Sequence, residues 1–269
     1  MLIDTHCHLD AAEFAADRSA VLDAARRAGV GAFLVPAVDV PGCDAVAALS
    51  AAHPDCRHAL GIHPLYVGRA QESDVDELRR RLEAGGAVAV GEIGLDGYVA
   101  DGDMPRQLRF FEAQLRLARD LALPVVLHVR RAQDAVLKQL RRFRPPGGIA
   151  HAFNGSRQQA EAFIGLGFRL GFGGAMTYSG STRIRQLAAT LPLESIVLET
   201  DAPDIPPAWA MGQRNDPANL RRFATVLAEL RGVPVETVIA ATGRNAVAAI
   251  PGLAPLNPPQ AEPESGCGR

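Results

Sequence analysis

Eight short apolar runs, each followed by a stretch of helical character, constrain this chain more than any other feature. They fall at 2–5, 32–36, 58–62, 87–91, 124–128, 148–151, 169–173 and 196–200. The runs are apolar almost throughout instead of alternating, as strands covered on both faces must be. The stretches between them carry helix punctuation. Residues 17–28 stop before Gly29, and 156–166 open at Ser156 and stop at Gly167. Residues 105–121 bring Leu108, Phe111, Leu115 and Ala118 to one side, and 217–231 have Pro217 in the first turn and Gly232 just beyond. Eight βα units predict an α/β protein with one domain, a TIM (β/α)8 barrel, whose usual size is about 250 residues. A doubly wound sheet is the competitor, because strand count alone does not establish closure. The barrel is expected over residues 1–253, and the Pro-rich, polar stretch 254–269 is expected to be a disordered tail.

The formal charge of −2 provides no global positive field to draw in nucleic acid or an anionic membrane, so any polyanion must be met by a local site. No apolar stretch approaches the roughly 20 residues that span a bilayer, and no basic segment or cleavage site precedes Leu2. A cytoplasmic protein without a membrane partner is expected. Cys7, Cys43, Cys56 and Cys267 form no CxxC pair, which fits a reducing compartment better than a disulfide framework or a zinc finger. Monomeric behaviour is expected, since no segment marks an obligate protein partner.

Polar residues that a strand core would exclude gather at the carboxyl ends of these runs. His6 and His8 follow the first, His63 the third and Glu92 the fourth. His128 and His151 end the fifth and sixth, and Asp201 follows the eighth. In parallel α/β folds those ends are where ligands bind. Residues two apart on an extended chain share a face, so His6 and His8 can chelate one ion. Any one strand-end histidine is ordinarily a satisfied structural residue; the convergence of six such groups points to metal. His53 and His58 lack that placement and read as structural, and Cys7 should point away from its neighbours' ion as inert packing. Mixed imidazole and carboxylate donors suit zinc, manganese, iron or magnesium. Six candidates exceed the needs of one tetrahedral ion, so two divalent cations bridged by a carboxylate are expected, with Glu92 the best bridge. A carbamylated lysine cannot serve, because the only lysine, Lys138, falls in the helical run 134–143. Gly165-Leu166-Gly167 and Gly171-Phe172-Gly173-Gly174 lack phosphate-loop spacing and read as turn and strand-end glycines.

Taken together, Asp4-Thr5-His6-Cys7-His8-Leu9-Asp10, Gly61-Ile62-His63-Pro64, Gly91-Glu92-Ile93-Gly94-Leu95-Asp96, His128-Val129-Arg130, His151-Ala152-Phe153-Asn154-Gly155-Ser156 and Glu199-Thr200-Asp201-Ala202-Pro203 resemble the TatD family of metal-dependent hydrolases. The resemblance runs in order from Asp4 to about Asn245 and is strongest to the YjjV-like branch. It implies an amidohydrolase-like TIM barrel with two divalent-metal positions. His6, His8, Glu92 and Asp201 would hold the first metal, and Glu92, His128 and His151 the second. Family members act as metal-dependent deoxyribonucleases, some as 3′–5′ exonucleases. The chain departs from the usual pattern at Gly97, where many members have an aromatic residue, at Val129 and Ala152, and at Met211-Gly212. None of these positions is a metal ligand.

Three functions follow as expectations. The first is hydrolysis of a phosphodiester in DNA or another phosphoester, with magnesium, manganese or zinc. Asp201 would serve as general base beside Glu92, and His63, Arg130 and Asn154 would contact substrate. The second keeps the metals and changes the bond to an ester or amide, such as an aminoacyl ester on tRNA. The third is a metal-stabilised scaffold without turnover, which a ligand set larger than a closed structural site disfavours. Aromatics make up only 5% of the chain, and no stripe of arginines interleaved with aromatics is visible in the sequence, which speaks against long nucleic acid.

Overall fold

A computed structural model describes residues 1–99 and 102–254. Every apolar run becomes a strand: β1 (Leu2–Asp4), β2 (Val30–Pro36), β3 (Cys56–Leu60), β4 (Ala89–Asp96), β5 (Val125–Arg130), β6 (Gly148–Ala150), β7 (Phe168–Phe172) and β8 (Ile196–Leu198). Around them lie α1 (Arg18–Arg27), α2 (Cys43–Ala52), α3 (Ser73–Glu83), α4 (Met104–Asp120), α5 (Gln133–Phe143), α6 (Arg157–Gly165), α7 (Thr182–Thr190), α8 (Leu220–Arg231) and α9 (Val235–Ala249). The strands are parallel and neighbours in sequence order, β1 to β8. A doubly wound sheet would reverse that order at a switch point, so the (β/α)8 barrel is the fold.

Loop contacts, not a strand ladder, join the last strand to the first. The Thr5 N–H and hydroxyl both donate to the Leu198 carbonyl, at 3.2 and 3.0 Å. Buried Asp4 accepts from the Thr200 amide at 3.0 Å and from its hydroxyl at 2.6 Å. The Asp201 N–H donates to the His6 carbonyl at 2.8 Å, and the His8 N–H to the Ala202 carbonyl at 2.7 Å. This seam fastens the two strand ends that carry His6, His8 and Asp201.

Helix boundaries follow from caps. Asp103 accepts from the Arg106 amide to start α4, Ser156 and Gln159 form a reciprocal capping box at α6, and Gly232 in the left-handed region ends α8. Residues 217–219 form a separate 3-10 turn ahead of α8 instead of its first turn. Helix α9 gave no clear sequence signal, being Ala-rich with little polar contrast. It packs under the barrel, where Gly243 lets the Met1 backbone approach closely: a Cβ there would lie 2.3 Å from the Met1 carbonyl oxygen. Residues 255–269, most of the expected tail, lie outside the described residues.

Ile3, Ala32, Leu34, Ala59, Ala89, Val126, Ile149 and Val197 form one apolar layer from strands around the barrel, closed from below by Ala246, Ile250 and Leu253. Strand periodicity then sets the next layer. Two residues beyond Val126, Ile149 and Val197 stand His128, His151 and Glu199.

Candidate metal centre

The layer above the apolar plug is a cluster of imidazoles and carboxylates at the floor of a cavity of about 1240 Å³. Glu92, on β4 and only 2% exposed, stands at its centre. Its two oxygens face different neighbours. Oε2 lies 3.2 Å from His6 Nε2 and 3.7 Å from His8 Nε2. Oε1 lies 2.9 Å from His128 Nδ1, 2.9 Å from His151 Nε2 and 3.3 Å from His63 Nε2. Asp201 Oδ1 completes the first set, 3.5 Å from His6 Nε2 and 3.6 Å from His8 Nε2. All six expected ligands therefore meet in one place.

The donors fit divalent cations. Two atoms sharing an ion at about 2.1 Å stand about 3.0–3.4 Å apart. His6 Nε2 and His8 Nε2 are 3.2 Å apart, a spacing that makes sense for two lone pairs aimed at one cation. Three groups have ligand atoms within 4.8 Å of one another: His6, His8 and Asp201; His6, Glu92 and His151; and His63, Glu92 and His128. The grouping differs in detail from the expectation. His128 and His151 both reach Glu92, but their ring centroids are 5.7 Å apart, and His63 takes the place nearest His128.

The hydrogen bonds of His63 fix its role. The Leu65 N–H donates to its Nδ1 at 3.1 Å, so the ring proton of the neutral form sits on Nε2 and points into the cluster, 3.0 Å from His128 Nδ1. His63 is a donor to the site while that bond holds. His128 in turn presents Nε2 to Asp96 Oδ2 at 3.0 Å, leaving Nδ1 for the centre. Carboxylates placed in this way orient metal-binding histidines. Sequence reasoning left Asp96 without a role, although it lies four residues beyond Glu92 on the same strand.

Glu199 is a second unassigned carboxylate. It is fully buried, accepts from the Ala152 amide at 2.5 Å and lies 3.7 Å from His151 Nδ1. Gly171 makes room for it, because a Cβ there would fall 2.0 Å from Glu199 Oε2. Gly171 thus has a packing reason, not a phosphate-binding one.

Burial and mutual charge set the protonation of the cluster. Burial, reinforced by His151, pushes His6 down to about 3, leaving its lone pair free for a cation. Burial alone would raise Glu92, but His63, His151, His6 and the bond from His128 hold it well below the carboxylate range. Burial would likewise lower His151, yet Glu92 and Asp201 bring it up to about 10. Burial raises Asp201, and it takes Glu199 to about 8 and Asp4 to about 7.

Of the remaining expected residues, Arg130 and Asn154 line the cavity and are exposed. The Arg130 guanidinium lies 3.7 Å from the Tyr98 ring centroid. Tyr98 thus supplies an aromatic face one residue after Gly97. Asn154 Oδ1 accepts from Arg183 at 2.8 and 3.2 Å. Arg214, near the Met211-Gly212 departure, is held away by Asp17 at 2.7 Å. Cys7 is buried with its thiol toward the Leu34 carbonyl, Lys138 is exposed on α5, and neither His53 nor His58 lines the cavity.

A parallel barrel with a carboxylate-centred histidine cluster at its carboxyl end fits the class of metal-dependent hydrolases, to which its similarity to known proteins assigns it. The family model described as TatD related DNase matches residues 3–250, and the chain belongs to the TatD family. It is 42% identical over 246 residues to the Escherichia coli (strain K12) uncharacterized metal-dependent hydrolase YjjV, covering 90% of this chain and 95% of that one. The crystal structure of E. coli YjjV superposes with a TM-score of 0.90 at 40% identity, over 93% of this chain and 98% of that chain. The Erwinia billingiae protein named 3′-5′ ssDNA/RNA exonuclease TatD is 31% identical, over 88% of this chain and 94% of its own. Among the described residues no helix is long and apolar enough to cross a membrane.

Proposed function

We propose that this chain is a metal-dependent phosphodiesterase acting on DNA or a related phosphoester at a two-cation centre, carried by a single domain over residues 1–253. The observation that carries the reading is the division of Glu92, with Oε2 facing His6 and His8 while Oε1 faces His128 and His151. A carboxylate so placed would belong to both ligand sets. His6, His8, Glu92 and Asp201 would hold one cation, and Glu92, His128 and His151 the other. Magnesium, manganese or zinc, when bound, would acidify a water and neutralise charge on the phosphoryl oxygens.

The chain's own groups do the rest. Asp201 accepts a proton from the attacking water as the new P–O bond forms, and the bond to the sugar oxygen breaks with that oxygen taking up a proton from solvent. Its backbone, at φ 58° and tied to the His6 carbonyl, keeps the carboxylate aimed at the cluster. His63 donates from Nε2 to a phosphoryl oxygen, a direction set by the Leu65 amide on its other nitrogen. Arg130 and Asn154 contact the substrate from the cavity wall. The relatives named 3′–5′ exonuclease support a nucleic-acid substrate.

The test is a comparison of labelled oligonucleotides, bis(p-nitrophenyl) phosphate and p-nitrophenyl esters, after reconstitution with each metal. Metal-dependent cleavage of phosphodiesters in preference to carboxylic esters is expected. Turnover confined to esters or amides would replace this reading with hydrolysis at carbonyl carbon, the aminoacyl ester being the alternative substrate.

A further inference from the structure

The cavity above the metal centre is electrically lopsided. Arg130 and Arg131 leave the end of β5 and Arg183 lies on α7, and all three line it. Asp10 and Glu13 follow β1 and Asp204 follows β8, and these line it as well. In an eight-stranded barrel β1 and β5 are four strands apart, on opposite sides of the axis. Arg130 and Arg131 therefore face Asp10 and Glu13 across the axis, while Arg183 and Asp204 follow the neighbouring strands β7 and β8.

Among the described residues, the arginines of this wall, Arg130, Arg131 and Arg183, have no carboxylate partner, in a chain whose other surface arginines commonly have one, as Arg26, Arg81 and Arg214 show. Arg130 and Arg131 instead stack against Tyr98, at 3.7 and 4.6 Å from its ring centroid. Arg183 is held by the neutral side chain of Asn154, whose backbone carbonyl accepts from the Gln133 side chain at 2.9 Å. Stacked or amide-held guanidiniums keep donor edges for an incoming oxyanion, and Tyr98 beside them is half exposed. Asp10 and Glu13, opposite the β5 arginines, repel that same anion from their side.

We propose that Arg131, Arg183 and Tyr98 form a second anion subsite, which holds the phosphate next to the one being cleaved. The inference rests on the phosphodiesterase reading and narrows it. The substrate is a short nucleic-acid end that carries at least two successive phosphates, with its remaining chain leaving over β5 to α7. An isolated diester leaves this wall unused. The sequence hides the subsite because its parts, at 98, 131 and 183, lie far apart along the chain.

The experiment uses the metal-loaded full chain and two thymidine trinucleotides. One has natural phosphates, and in the other the linkage beside the scissile one is a neutral methylphosphonate. The natural trinucleotide is expected to have a KM about tenfold lower, the effect of one or two partly exposed charge-assisted hydrogen bonds. In Arg131→Gln and Arg183→Gln that ratio should fall toward one, and Arg183→Lys should restore part of it. Calorimetry with trinucleotides whose scissile linkage is a non-hydrolysable phosphonate reads the same preference as binding. Equal KM for the two trinucleotides in the wild type, or a ratio unmoved by both glutamine variants, would overturn the subsite even if phosphodiesters are cleaved. Preferential binding without any cleavage would support the subsite and remove the phosphodiesterase reading instead. Preference for a free phosphate or a carboxylate ligand equal to that for the trinucleotide would overturn the nucleic-acid assignment.

Discussion

At the lower end of the barrel, Ile3, Val126, Ile149 and Val197 pack on Ala246, Ile250 and Leu253. One strand step higher, β5, β6 and β8 present His128, His151 and Glu199. The strands are the same and the burial is similar, but the energetics differ. The lower layer gains from apolar contact and is worth what its packing is worth. The upper layer brings five imidazoles and several carboxylates wholly or partly out of water, a cost that mutual pairing only partly offsets. His6 Nδ1, His151 Nδ1 and Glu199 Oε2 are buried without a hydrogen-bond partner. The upper end is arranged for a cation, and the lower end makes that arrangement affordable to the fold.

The largest expected effect separates the two ends by function. Glu92→Gln removes the shared carboxylate, so bound metal should drop sharply and turnover should fall by at least about a thousandfold. Binding only the folded state raises the melting temperature by mass action, and the variant should lose that metal-dependent rise. Metal analysis, kinetics and thermal denaturation with and without cation read all three. Retained metal stoichiometry with full turnover would break the division between the ends.

The mirror experiment is Ile250→Ala. Ile250 is fully buried in the lower plug, and truncating such a side chain costs about 2–5 kcal/mol. Denaturant titration should show that loss, while metal stoichiometry and kcat below the melting range stay near those of the parent. A collapse of metal binding equal to that of Glu92→Gln would show that the plug and the site form one cooperative unit.

A smaller effect tests the upper layer from within. Asp96→Asn keeps the shape of the partner at His128 Nε2 and removes its charge. Metal affinity should weaken by about 10–100-fold, the usual consequence of losing such a support. Competition with a chelator measures it directly. Weakening confined to one of two binding steps would assign Asp96 to the cation beside His128.

The two ends are unequally legible in the sequence. Continuous apolar runs identified every strand, and residues such as His6, His128 and Asp201 stood out because an apolar run does not ordinarily end in them. Asp96 and Glu199 get no role from the sequence, because only the register of β4 on β5 and the space at Gly171 give them partners. β4 was expected to stop at Gly91 yet runs on to Asp96, since backbone pairing with β5 continues past the glycines. No arginine–aromatic stripe could be seen, because Tyr98 meets Arg130 and Arg131 only after β4 and β5 lie side by side.

The smallest prediction reduces the comparison to two histidines five residues apart. His63 enters the charged cluster, whereas His58 on β3 is 8% exposed, has no partner at Nδ1 and feels only burial, which lowers its pKa. A histidine depressed in the folded state stays neutral while the unfolded chain takes up a proton. Its contribution to stability is complete above the unfolded value near 6.5 and is lost as pH falls from there toward the folded value. Replacing it by His58→Gln should flatten the acid side of the stability profile over that interval without altering metal content. Melting temperatures of the two proteins, measured with saturating metal from pH 7.5 to 5, would differ least at the acid end. A profile for the variant parallel to the parent's would mean that site histidines, not this one, govern acid sensitivity.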